Sequence, residues 1–92
     1  MYEFHVTVKL DRSQLPKAEA HAELLKFKSS YIQNDPLLGN ETFFYYTGHA
    51  QDFNDVKALM KSVKSPLPYQ GEVVRRKIEL IVYDTKTGIG VE

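Results

Sequence analysis

The first ten residues restrict the fold more than any other stretch. Tyr2, Phe4, Val6, Val8 and Leu10 alternate without interruption with Glu3, His5, Thr7 and Lys9. Strand side chains repeat every two residues, so this segment is a strand with one apolar and one polar face. A sheet built on it has one side to bury and another left open for binding or chemistry.

The rest of the chain supplies what would cover that apolar side. After an Asp11-Arg12-Ser13 turn, Leu15, Ala18, Ala22 and Leu25 recur at helical spacing, with Ser13 as the expected N-cap and Pro16 tolerated in the first turn. Lys26 and Lys28 suit the negative end of that helix. Residues 29–33 are short and mixed, and read as a weak edge strand. Asn34-Asp35-Pro36 and Gly39-Asn40 are turn signals. Glu41 to Thr47 is β-branched and aromatic and reads as a strand, with Gly48 and His49 leading out of it.

A second helix is marked by Asp52 as N-cap, by Asp55 in its first turn, and by Val56, Leu59, Met60 and Val63 on one face. Pro66 is the expected stop. Val73 to Tyr83 then reads as a long strand with Val74, Ile78, Leu80 and Val82 on one side. Residues 85–92 read as a flexible tail or a short added edge strand.

The expected fold is therefore α+β, a ferredoxin-like βαββαβ sandwich. Two helices cover one face of an antiparallel sheet whose first and third strands are central. Without a strand at residues 29–33, a three-stranded sandwich remains. Ninety-two residues make one domain, expected over residues 1–84.

Twelve basic residues balance twelve acidic ones, which disfavours a nucleic-acid binder working by bulk charge. There is no cysteine, so disulfides, thiolate metal sites and cysteine nucleophiles are excluded. Glu3, Lys9 and Asp11 near the start do not fit a signal peptide, and no apolar run approaches the ~18 residues of a membrane helix. The expectation is a cytoplasmic protein that does not enter a membrane.

With the apolar sides turned to the helices, the open face is expected to present His5 and Thr7 from the first strand. Phe43 and Tyr45 come from the third strand, and Arg75, Lys77, Glu79 and Tyr83 from the last. Aromatic rings among cations suit bases and phosphates. Exposed rings on an uncovered sheet also suit a protein partner or a second copy of the chain. Three histidines on three elements, with no carboxylate at ligand spacing, indicate no metal site, and no cofactor is expected. His21 reads as a helix-surface residue and His49 as a loop or helix-entry residue.

Three resemblances follow from these residues. The βαββαβ layout resembles the RNA-recognition motif in architecture, without a glycine between the aromatics of Asn40-Glu41-Thr42-Phe43-Phe44-Tyr45-Tyr46. His5-Val6-Thr7 is similar to the His-x-Thr signature of two-histidine phosphoesterases, which implies His5 as acid or base and Thr7 as a phosphate holder. That family carries two such motifs, and here Thr47-Gly48-His49 has the reverse order. The opening strand together with Lys77-Ile78-Glu79-Leu80-Ile81-Val82-Tyr83-Asp84 resembles small proteins of bacteria and phages with no established activity. The reading is a non-enzymatic binding module, self-associating through its open sheet face. The alternative is a phosphoesterase-like, nucleotide or RNA site centred on His5 and Thr7.

Overall fold

The computed structural model describes residues 1–33 and 39–82. Strand β1 spans Tyr2–Asp11, helix α1 Leu15–Leu24, β2 Lys28–Gln33, β3 Glu41–Ala50, α2 Phe53–Lys61 and β4 Glu72–Leu80. The four strands form one antiparallel sheet in the order β2-β3-β1-β4, so the first and third strands are central. This is the α+β layout and element succession expected from the sequence, with the weak strand present as β2. Tyr83, the tail at residues 85–92 and the Asn34-Asp35-Pro36 turn lie outside the described residues.

One face of the sheet carries the core. Phe4, Val6 and Val8 of β1 and Phe44 and Tyr46 of β3 are fully buried under Ala18 and Ala22 of α1 and Val56 of α2. Burying a side chain of this kind contributes about 1.5–3 kcal/mol, so these rows are a large favourable contribution. The alternation of β1 is thus the pattern of a half-buried strand, and the aromatics of β3 divide with Phe44 and Tyr46 inside.

Four local expectations change. Ser13 is not the cap of α1. The Asp11 carboxylate accepts a 2.9 Å bond from the Ser13 backbone N–H and starts a single 3-10 turn, Arg12–Gln14, that leads into the helix. That bond, with the Ser13 side chain contributing most, holds the Asp11 carboxyl below its usual range. Strand β3 runs three residues past Thr47, through Gly48, where the Phe4 ring takes the space that a side chain would need.

Helix α2 ends at Lys61, well before Pro66, although Val63 just beyond it is still buried. Asp52 caps its start as expected, accepting from the Asn54 and Asp55 backbone N–H groups. Finally, β4 carries a bulge. Thr7 pairs with Arg75 but Val8 pairs with Val73, which leaves Val74 as the extra residue, 45% exposed. Val73, not Val74, packs on the core with Ile78.

Helix α1 stops on a Schellman motif. The Lys26 N–H donates to the Glu23 carbonyl and the Phe27 N–H to the Ala22 carbonyl, with Lys26 at φ 62°. That left-handed position is normally glycine's. The turn delivers Phe27 edge-on to the Phe4 ring, 4.9 Å between centroids, and starts β2.

Candidate functional site

The register sorts the open face into rungs, because residues directly opposite each other in antiparallel strands share a face. One rung is Glu79, Glu3 and His49; the next is Lys77, His5, Thr47 and Lys28. Then come Arg75, Thr7, Tyr45 and Ser30, and beyond the bulge Glu72, Lys9, Phe43 and Ile32. Of the residues expected on this face, His5, Thr7, Phe43, Tyr45, Arg75, Lys77 and Glu79 are all brought onto it.

The charges on this face largely satisfy one another. The Glu3 carboxylate lies 3.6 Å from His5 Nε2 and 3.4 Å from His49 Nε2. Glu79 stands directly across from Glu3, a like-charge opposition that would be destabilising alone. Lys77 contacts Glu79, and that contact holds the Glu79 carboxyl below its usual range. Lys9 pairs with Glu41 at 3.4 Å.

The His5 Nδ1 meets the Thr47 hydroxyl at 3.2 Å, while its Nε2 faces the Glu3 carboxylate at more than hydrogen-bond distance. Two concavities border the face. One, of about 410 Å³, is lined by Lys9 together with the carboxylates Asp11, Glu41 and Glu72. The other lies beside Phe27, Thr47, His49 and Leu59. Neither is lined by His5 or Thr7. Among the described residues no group of three His, Asp or Glu side chains is arranged to hold a metal ion.

Two histidines sit differently from their sequence reading. His49 is in β3, opposite Glu3, and not in a loop. The clue was Gly48, which lets the strand continue and carries the alternation one step further. His21, on α1, is half-buried, and its Nδ1 meets the Tyr46 hydroxyl at 2.8 Å; that hydroxyl in turn meets Tyr69. Burial holds His21 below its usual pKa and pushes both phenols up. The network supplies partners for polar groups inside the core, and among the described residues no buried side-chain N or O lacks one.

The reversed Thr47-Gly48-His49 is not remote from His5-Val6-Thr7. Antiparallel pairing sets Thr47 beside His5 and His49 beside Glu3, one rung away. Two imidazoles therefore flank one carboxylate.

Both margins of the sheet are exposed, and at β4 Leu80 is as exposed as Ile32 of β2. None of the six β2 residues is buried, and Tyr31 and Ile32 are 51% and 59% exposed on opposite faces of the strand. Ile32 lies beside Phe43, so apolar surface continues from the open face to the outer edge. No helix among the described residues is long and apolar enough to cross a membrane. No protein-family model matches the chain, and neither a curated protein nor a solved structure is significantly similar to it.

Proposed function

We propose that the chain is a small non-enzymatic interaction module that self-associates through the open face of its sheet and the margin formed by β2. The exposure of a nearly uncharged β2, beside a β4 edge that is exposed but highly charged, carries this reading. A six-residue strand with no buried side chain adds little to the monomer's own core, yet it presents Tyr31 and Ile32 to solvent. The face beside it pairs Lys77 with Glu79 and Lys9 with Glu41, which suits a surface matched to another polar, neutral surface. Zero formal net charge also removes long-range repulsion between copies.

A phosphoesterase-like, nucleotide or RNA site at His5 and Thr7 draws less support. Lys77 and Lys9 are held by carboxylates, and neither concavity bordering the face is lined by His5 or Thr7, which leaves Arg75, opposite Thr7, as the cation such a site would use. Amide spectra recorded through a dilution series separate the readings. Self-association shifts the signals of β2 and the adjoining open face with concentration. Spectra that ignore dilution but move around His5 and Thr7 on adding a nucleotide would reverse the order of the two.

A further inference from the structure

We infer that the copies of this chain meet at the β2 margin and not face on face, by antiparallel pairing of β2 with β2 across a two-fold axis perpendicular to the sheet. This deepens the interaction reading and rests on it. An edge strand offers unpaired backbone N–H and C=O groups to any incoming strand, and proteins that stay monomeric blunt such edges with charge, proline or bulges. The far edge, β4, is blunted in two ways: five of its nine residues are charged, and it bulges at Val74. The β2 edge, Lys28-Ser29-Ser30-Tyr31-Ile32-Gln33, has one charge, no proline and no register shift against β3.

Charge then selects a second copy as the occupant. A perpendicular two-fold pairs residues of the same face, so the axis passes through Ser30 or Tyr31. Lys28 of each copy then falls at opposite ends of the junction, about 14 Å or more apart at ~3.4 Å per residue. That exceeds the ~8–10 Å screening length, so the two lysines do not oppose the contact. The same operation on β4 would set Arg76 against itself, with Arg75 facing Lys77, a like-charge row. Joining β2 to β4 would be head-to-tail and would not close by a two-fold. The product of β2 pairing is a continuous eight-stranded sheet with the helices of both copies on one side.

The absence of native cysteine makes the test direct. Ser30→Cys, Tyr31→Cys and the open-face Thr7→Cys are each oxidised in the otherwise full chain and read on a non-reducing gel, with mass measured in parallel under reducing conditions. Facing residues of antiparallel strands lie about 4.5–5.5 Å apart at Cα, inside the disulfide range. The expected result is a disulfide dimer from whichever of Ser30→Cys and Tyr31→Cys lies on the axis, and none from Thr7→Cys. A dimer by mass that is trapped only by Thr7→Cys, or at none of the three positions, overturns the β2 junction while the interaction reading stands. A monomer by mass at every concentration, with no trapping, overturns both.

Discussion

The two edges of the sheet solve opposite problems. Strand β4 anchors itself from within: Val73 and Ile78 pack on the core, and the Arg76 guanidinium donates to the Met60 carbonyl at the end of α2, 3.1 Å away. Its outer side is charged and bulged, which discourages any further strand. Strand β2 has neither provision. It hydrogen-bonds to β3 along its length but buries none of its own side chains. The contrast teaches that an edge can be part of the sheet without being part of the core. It is then an edge whose side chains are at the disposal of a partner.

The largest expected difference is in stability. Ile78→Ala should destabilise the monomer by about 2 kcal/mol, because it opens a gap beside the core. Ile32→Ala should cost about 0.5 kcal/mol or less at concentrations where the chain is monomeric, since it vacates only solvent-facing space. Urea unfolding at low protein concentration measures both. Equal costs would mean that β2 is a core strand and that the contrast is wrong.

A smaller effect is expected at the turn that delivers β2. Lys26→Gly relieves a left-handed residue at the end of α1 and should stabilise the fold by up to about 1 kcal/mol, seen as a higher unfolding midpoint. It should leave association unchanged, because it alters the approach to the edge and not the edge itself. Loss of association in this variant would tie the edge to the turn.

The smallest effect is a pH dependence that neither edge should share. Burial lowers the His21 pKa in the native state below its ordinary 6.5, so folding favours the neutral ring. Its contribution is complete above about pH 6.5 and is lost as pH falls through the lowered native value. Thermal midpoints between pH 7.5 and 5 should therefore fall less steeply in His21→Gln than in the unaltered chain. An unchanged slope would assign the acid sensitivity to other groups.

Much of this architecture is legible in the sequence because it rests on period-two and helical patterns. The alternation of β1 names both the buried and the open residues, and Phe43 and Tyr45 lie on the open face as expected. What was hidden depends on tertiary contact. The bulge at Val74 is a matter of register between two strands, and β4 alone reads as a smooth run. Gly48 looks like a turn until the Phe4 ring occupies the space a side chain would need. His21 looks like a surface residue until Tyr46 and Tyr69 arrive from other elements. Lys26 carries no mark of the left-handed position that the Schellman turn imposes on it. On the candidate surface, chain order separated His49 from His5, and antiparallel pairing brings both against Glu3.

The central claim is that this chain associates through its β2 edge, and sedimentation equilibrium tests it most directly. Samples of the unaltered chain and of Tyr31→Lys, a charge placed on that edge, are compared up to about 1 mM, where even contacts worth only ~4 kcal/mol are half-formed. The account predicts that the unaltered chain rises from 10.6 kDa toward twice that mass while the variant stays at the monomer value. A constant 10.6 kDa for the unaltered chain, or equal association by both proteins, would contradict it.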